Sequence, residues 1–481
     1  MDVGGYAARE DCDVPLLYAH TQAEVDAVYR KIAWKLVPFC FLMTVVCYVD
    51  RTNISLAAID MSADIGLTKS QFGVASSLFF VTCVIFQIPS NEILKRVGGP
   101  LWLGVLLIGW GFAASMTAFV SNAVQLYVLR LVLGVFESGT FPGLLFYLAQ
   151  FFPDSRTPGV YGITLAGCTA GVAISAPLAA AFLSMDGVLN FRGWQWLFLL
   201  EGVPAIALGV GMMLLLPKSL ESKGFLTRKE QMILNSDKPA QKSPVDGKSK
   251  HLLYLLNTVI LNVTLWVLMF CDFLAGTMKN AALFWTPLWI DAMVNGSSLD
   301  WEKAEKTEDS NHGVQVALLS TIPYALAAFS SVFFGWTSEK FHDRTIHCFS
   351  LWLIGGLCFL LLPWLAGVNV ILGFVALMCG HVGVNGKGGA FNSLTLSFMT
   401  EENKSFGLAW MNSVGNLSGL FGPMIAGFLA DQTGSYKSAI WGAGAMTVIA
   451  ATVILFVKDT VRKEHRKSQA QATYYHAQIG I

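Results

Sequence analysis

Charged residues stand inside apolar stretches of this sequence. Asp50 and Arg51 are adjacent in CYVDRTNIS, between the runs PFCFLMTVVCYV and ISLAAI. A charge at the centre of a bilayer costs about 2.5–3.5 kcal/mol by insertion scales, so such groups are expected to face a protein interior or a cavity and to carry protons or ions. The other charges in this setting are Arg130, Glu137, Lys279 and Lys387, with Asp272 and His381 as a second tier.

These residue types suggest two kinds of chemistry. A buried carboxyl group can bind and release a proton, and an arginine can hold a carboxylate through two hydrogen bonds. Arg130 and Glu137 are seven residues apart, which places them on one helix face about two turns from each other, so each needs a partner on another helix. Asp50 and Arg51 diverge by about 100°, so one could meet another helix while its neighbour points into a cavity.

The six charges sum to two negative and four positive if both lysines face a cavity, and this excess favours a bound anion. Two alternatives remain. The charges could form ion pairs that only fix helix register. Lys279 and Lys387 could instead extend to the membrane interface. His381 has no carboxylate nearby in sequence and is expected to be a hydrogen-bonded helix residue.

The composition indicates a polytopic membrane protein. Only 13% of the 481 residues are charged and 54% are hydrophobic, whereas a soluble domain has about 25% charged residues. The net charge of zero gives no basic footprint for nucleic acid. The nine cysteines include no C-x-x-C and no cluster with histidine, so we expect neither a metal site nor a cofactor.

Twelve segments are long and apolar enough to span a bilayer as helices. They are residues 34–59, 72–95, 101–120, 124–150, 157–184, 196–216, 262–292, 313–338, 346–366, 369–398, 405–431 and 437–457. The fold class predicted is therefore an all-α membrane protein of twelve transmembrane helices in two pseudo-symmetric halves. Such paired halves, with a site between them at mid-membrane, are the plan of many transporters.

The predicted parts of the chain follow from these segments. They are an N-terminal tail (1–33), a six-helix half (34–216), a polar linker (217–261), a second six-helix half (262–457) and a C-terminal tail (458–481). Most of the 32 Lys and Arg residues fall on the side of both tails and the linker, which places those parts in the cytoplasm. The membrane is either the plasma membrane or an endosomal or lysosomal one, since DVPLL at 13–17 fits an acidic dileucine signal.

Several motifs in order resemble one known group. They are VDRTNIS, FQIPSN, RLVLGVFESGTFPG, RGWQWLFLLEGVPA, FWTP and NSVGNLSGLFGPMIAG. Together they resemble the anion:cation symporter branch of the major facilitator superfamily, which includes carriers of sugar acids, tartrate, allantoate, sialic acid and vesicular glutamate. The resemblance covers about residues 30–458.

The resemblance implies roles for individual residues. Asp50 and Glu137 are similar to the proton-coupling carboxylates, and Arg130 is similar to the arginine that pairs with the ionised aspartate. Arg51 and Tyr48 resemble substrate contacts, and Asn416 resembles a polar group that lines the site. Lys279 and Lys387 are not regular features of the branch, and they favour a multiply charged anion as substrate.

These residues predict a secondary active transporter that moves an organic anion by alternating access, with protons as the coupling ion. The expected partners are the anion, the proton and the lipid bilayer, with the protein as a monomer. A proton-independent exchanger or facilitator is the first alternative, and a nutrient-sensing receptor on a transporter fold is the second. A membrane enzyme is disfavoured because no His/Asp cluster stands at a membrane face.

Overall fold

The structure is a computed structural model that describes residues 21–153, 156–222, 224–237, 259–295, 299–300, 312–341, 343–399 and 404–457. The DVPLL motif, residues 238–258 of the linker and the C-terminal tail lie outside these residues. The described chain forms sixteen α-helices. In chain order they are α1 (Gln22–Leu56), α2 (Ala58–Ile65), α3 (Lys69–Val97), α4 (Gly99–Met116), α5 (Ala123–Glu137), α6 (Thr140–Ala149), α7 (Thr157–Leu183), α8 (Gly193–Leu215), α9 (Arg228–Asp237), α10 (Val263–Val294), α11 (His312–Lys340), α12 (Thr345–Val368), α13 (Val370–Gly386), α14 (Gly388–Leu396), α15 (Lys404–Thr433) and α16 (Lys437–Ile454).

Twelve spanning helices are confirmed. By length and hydropathy, the described residues contain twelve helices able to cross a membrane, with α5 and α6 forming one of them and α13 and α14 another. We call α1–α8 the N-terminal half and α10–α16 the C-terminal half. The end of the bundle with residues 57–68 is called the outer end, following the orientation that the sequence predicts, and the opposite end is called the inner end.

The first helix begins earlier than predicted. It starts at Gln22 rather than near residue 34, and so includes a polar stretch that the sequence placed in the N-terminal tail. Thr21 accepts a hydrogen bond from the backbone N–H of Glu24, whose side chain in turn accepts from the backbone of Thr21. This capping box satisfies backbone donors at the helix start, which explains why the helix extends into polar sequence.

The fourth and tenth spanning segments are broken, although the sequence predicts each as continuous. Residues Ser138 and Gly139 separate α5 from α6, and Lys387 separates α13 from α14. Pro142 explains the first break, since it has no N–H to donate to the carbonyl group of Ser138. Glycines 386, 388 and 389 surround the second break and favour it because they stabilise a helix poorly. Each break lies in the fourth spanning segment of its half, so the two breaks occupy corresponding positions.

The outer end is closed where the two halves meet. The backbone N–H groups of Lys69 and Ser70, at the start of α3, donate to the carboxylate of Asp431 on α15 at 3.0 and 2.7 Å. One turn further in, a Cβ added at Gly73 would lie 2.6 Å from the carbonyl oxygen of Pro423, so the backbones of α3 and α15 are in direct contact. Access to the space between the halves is therefore blocked at this end.

Candidate functional site

Arg51 and Glu137 form an ion pair across two helices of the N-terminal half. Arg51 Nε donates to Glu137 Oε2 at 2.8 Å, and the Cys47 thiol donates to the same oxygen at 3.3 Å. The Glu137 side chain is fully buried, whereas that of Arg51 is 17% exposed. Glu137 is the last residue of α5, so the break in the fourth spanning segment positions the pair.

Among the described residues, three aromatic rings surround the Arg51 guanidinium group. Its central carbon lies 5.3 Å from the Tyr48 ring, 5.2 Å from that of Phe79 and 5.3 Å from that of Phe141. In the described residues, no hydrogen bond engages the two terminal nitrogens of Arg51. The rings hold the guanidinium plane by cation–π attraction, and the two free nitrogens have the geometry that a carboxylate needs.

Asp50 is buried beside this pair, at 2% exposure. Its Oδ1 accepts from Asn53 Nδ2 at 2.9 Å, while Oδ2 has no partner among the described residues. Arg130 is an electrostatic neighbour of Asp50, although no ion pair between the two lies within 4 Å in the described chain. The Arg130 Nε instead donates to the carbonyl oxygen of Ala75 at 3.3 Å. The Asp50–Arg130 pair that the resemblance implies is therefore not formed in this conformation.

Lys279 lies halfway along α10 and is exposed. It is nine residues from Phe270, which is 52% exposed, and at about 100° per residue this spacing puts the two on opposite sides of the helix. Phe270 and Trp266 form the outward, lipid-directed face, so Lys279 faces the bundle. Because contacts close the outer end, we expect water to reach this ammonium group from the inner end.

Lys387 is paired, which corrects the charge sum made from the sequence. Its Nζ bonds Oδ1 of Asp272 on α10, and it lies 4.1 Å from the centroid of the Phe391 ring. Counting Asp272 gives three negative and four positive groups, so the excess falls from two positive charges to one. Lys279 carries that excess, since no ion pair holds it within the described residues.

The remaining predicted residues have simpler surroundings. Asn416 lies half-buried on α15. His381 is buried, and its Nε2 is 2.7 Å from Thr286 Oγ1, which confirms the expectation of a hydrogen-bonded helix residue.

One buried carboxyl group was missed from the sequence. Glu201 lies within α8 at 5% exposure, and neither of its oxygens has a partner among the described residues. Its signal was visible, because it interrupts the apolar run FLLEGVPA of a predicted spanning segment.

A group of acidic residues lies at the outer end, on α2, in the segment after α7 and near the end of α10. Asp60 on α2 contacts Gly313 at the start of α11, so it too lies between the halves. Burial and, after it, the nearby carboxylates of Asp186, Asp64 and Asp291 together raise the pKa of Asp60 to about 6, while His312 acts in the opposite direction. Because Asp60 lies between the halves, we expect closure at this end to respond to its protonation.

Comparison with known proteins agrees with this architecture. The family model described as Major Facilitator Superfamily matches residues 40–398 and 307–478. A putative tartrate transporter of Agrobacterium vitis is 30% identical over 437 residues, which cover 90% of this chain and 95% of the relative. The putative metabolite transport protein NicT of Pseudomonas putida is 29% identical over 431 residues, covering 89% of this chain and 94% of the relative.

Two solved structures share the fold. A D-xylose-proton symporter superposes with a TM-score of 0.69 at 14% identity, covering 89% of this chain and 99% of that chain. A bacterial homologue of the human lysosomal transporter Spinster, in an inward-facing and unoccupied conformation, superposes with a TM-score of 0.67 at 13% identity. The match covers 91% of this chain and 96% of that chain. The twelve spanning helices, the family match and the relatives together identify this chain as a multi-pass membrane transporter that belongs to the major facilitator superfamily.

Proposed function

We propose that the protein carries an organic anion with at least one carboxylate group across a membrane, and that protons drive this transport by alternating access. The observation that carries the proposal is the pair of broken helices. Interrupted segments at corresponding positions of two halves are the best pointer to a transporter's binding site. Here each break holds a charged residue, Glu137 in one half and Lys387 in the other.

The contacts of Arg51 provide a route to proton coupling. Its Nε is held by Glu137, and its terminal nitrogens are free for a substrate carboxylate. A proton on Glu137 would cancel the negative charge beside Arg51, so the guanidinium group would attract an anion more strongly. Proton and anion then favour each other's binding, and by linkage the effect is reciprocal. Asp50, next along α1, is the second proton-binding group of the proposal.

Alternating access requires a site that opens to one side at a time. The outer end is closed by Asp431 and the Gly73 contact, while the Lys279 side chain is exposed. This arrangement corresponds to the inward-open stage of such a cycle. Rocking of the halves would break the outer contacts and turn the same charged groups toward the other side.

The charges favour a substrate with more than one negative group. Arg51 lies in the N-terminal half and Lys279 in the C-terminal half, and the two are electrostatic neighbours. A dicarboxylate could engage both and so bridge the halves. One relative is named for tartrate, which has two carboxylate groups. Lys387 joins this site only when Asp272 releases it.

The test is uptake of radiolabelled anions, tartrate first, by purified protein in proteoliposomes with and without an inward proton gradient. We expect accumulation above equilibrium only with the gradient. Equal exchange under both conditions would support the proton-independent exchanger instead. Binding without any flux would support a receptor.

Two variants assign the roles. Arg51→Lys should abolish uptake, because lysine keeps the charge but lacks the planar fork that binds a carboxylate at two points. Glu137→Gln should remove proton-driven accumulation while anion exchange continues. Normal uptake by the lysine variant, or normal pH-dependent accumulation by the glutamine variant, would contradict the corresponding assignment.

A further inference from the structure

Glu201 is a buried carboxyl group without a basic partner. It lies on α8, which packs against α1, α4 and α7. Its electrostatic neighbours are Asp50 and Asn53, and no cation is among them in the described part of the chain. Burial of an ionised carboxylate without a cation is strongly unfavourable. Asn53 lies within hydrogen-bond reach of Glu201, but its Nδ2 already donates to Asp50. The surroundings therefore suit a carboxyl group that carries its proton.

The orientation of Asn53 indicates where that proton points. Asn53 Nδ2 donates to Asp50 Oδ1 at 2.9 Å, which turns its amide oxygen away from Asp50. This oxygen has no partner within the described residues, and the Glu201 side chain faces Asn53. A protonated Glu201 can donate to the amide oxygen, whereas an ionised one cannot. An ionised Glu201 would instead favour a flipped amide, which would take the Nδ2 donor away from Asp50.

The packing around this group excludes water. Glu201 is 5% exposed, Asn53 is 1% exposed and Trp110 on α4 is fully buried. Next to Glu201, a Cβ added at Gly111 would lie 2.6 Å from the carbonyl oxygen of Gly202, so α4 and α8 are in backbone contact. A bridging water needs space and several polar partners. Glu201 and Asn53 are therefore expected to hydrogen-bond by direct side-chain contact and not through a bridging water.

We propose that Glu201 remains protonated and acts as a positioning residue for Asp50: its O–H donates to Asn53 Oδ1 and fixes the Asn53 amide so that Nδ2 holds the Asp50 carboxylate. No proton leaves Glu201 in this role. The donor from Asn53 stabilises the ionised form of Asp50, so Glu201 shifts the pH at which Asp50 takes up its proton. The charge of Arg130 acts in the same direction as this donor, and the charge of Glu137 opposes it. The inference rests on the proposed proton coupling, and it adds a residue that lies away from the substrate contacts.

The protonation of Glu201 can be tested without transport. Infrared spectra of the purified protein near neutral pH should contain the C=O stretch of a buried carboxylic acid. Glu201→Gln should lower that band by the contribution of one carboxylic acid, because the amide keeps the size and the donor but has no carboxyl group. An unchanged band in this variant would overturn the proposal, whatever the transport assay shows.

The positioning role can be tested by the pH profile of uptake. Glu201→Leu and Asn53→Leu each break the chain of hydrogen bonds from Glu201 through Asn53 to Asp50, so Asp50 should be protonated more easily. We expect the midpoint of the profile to move to higher pH by about one unit, or about tenfold in proton concentration. Glu201→Gln still donates to Asn53 and should keep the normal midpoint. The same midpoint in the leucine variants as in the unmodified protein would overturn the role.

The two proposals fail in different ways. Asp50→Asn should remove the pH dependence of uptake if the proposed function is right. A pH dependence that survives in that variant refutes proton coupling through Asp50. If the midpoint of the pH profile shifts as far in Glu201→Gln as in Glu201→Leu, only the hydrogen-bond relay from Glu201 through Asn53 to Asp50 is refuted. If the leucine variants do not fold, the infrared measurement on the glutamine variant decides whether Glu201 is protonated.

Discussion

The ion pair between Asp272 and Lys387 leads to a prediction about both stability and substrate affinity. The Lys387 side chain is 11% exposed and that of Asp272 is 25% exposed. The ammonium group also lies 4.1 Å from the Phe391 ring centroid and 5.3 Å from that of Trp352. Lys387 thus has two kinds of partner, whereas Asp272 has one ion-paired cation among the described residues and partial access to water.

The size of the effect follows from these contacts. Removal of one member of a fully buried pair costs about 3–5 kcal/mol. Water can reach Asp272 in part, so Lys387→Met should lower the free energy of unfolding by about 1–3 kcal/mol. Asp272→Asn should cost less, because the rings still hold the ammonium group with about 1–2 kcal/mol. The double variant leaves neither charge unpaired, so its loss should be smaller than the sum of the single losses.

Affinity should change in opposite directions in the two single variants. Asp272→Asn releases Lys387 and raises the excess positive charge of the site from one to two. At a separation of about 8 Å and an effective dielectric constant of about 20–80, this adds about 0.5–2 kcal/mol to the binding of each negative charge. Lys387→Met removes this cation and leaves Asp272 unpaired, so the excess falls from one positive charge to zero and an anion should bind more weakly.

The assays are denaturant unfolding of the four proteins in detergent micelles and the KM for anion uptake in proteoliposomes. The unmodified protein and the double variant complete the cycle. Strictly additive stability losses would show that the two groups do not interact. A KM that rises in Asp272→Asn would refute the idea that Asp272 competes with the substrate for Lys387.

Three further predictions concern single residues. The pKa of Asp60 is raised to about 6 in the closed outer end, chiefly by burial, so the closed form should lose stability as pH rises from about 4 to about 6. Distances between spin labels at the outer ends of α2 and α10 should increase over this pH range. Asp60→Asn should abolish this pH dependence. Asp431→Ala removes the acceptor for two backbone donors at the start of α3, which is worth about 0.5–2 kcal/mol for a helix cap, so the same distance should increase; an unchanged distance would exclude this carboxylate from the closure. Lys279→Met should raise the KM for a dicarboxylate more than for a monocarboxylate, while Lys279→Arg should preserve the preference; equal increases for both substrates would contradict a second anion contact.

The spanning helices could be predicted from composition because the requirement is local. A run of about 20 apolar residues suffices to identify a helix that crosses a bilayer. The early start of α1 and the first helix break were also encoded locally, in the Thr21 and Glu24 capping box and in Pro142. Hydropathy alone does not register such signals, since a cap or a proline hardly changes the mean of a window.

The partners of the charged residues could not be predicted, because they depend on how the helices pack. The sequence singled out Arg51, Glu137 and Lys387 as buried charges, but nothing local shows that Arg51 meets Glu137 or that Lys387 meets Asp272, 115 positions away. Glu201 was overlooked for a related reason. It has no charged neighbour in sequence, and only the fold brings it to Asn53.

The contact at Gly73 offers a way to obtain the opposite conformation of the protein. Gly73 and Gly427 let the two backbones touch, with only 3.2 Å between a Cβ at position 73 and the Gly427 Cα. A bulky side chain at this point would act as a wedge that keeps the external vestibule open, while the rest of each half is left unaltered. Gly73→Trp is therefore a rational starting point for crystallising or imaging an outward-facing form.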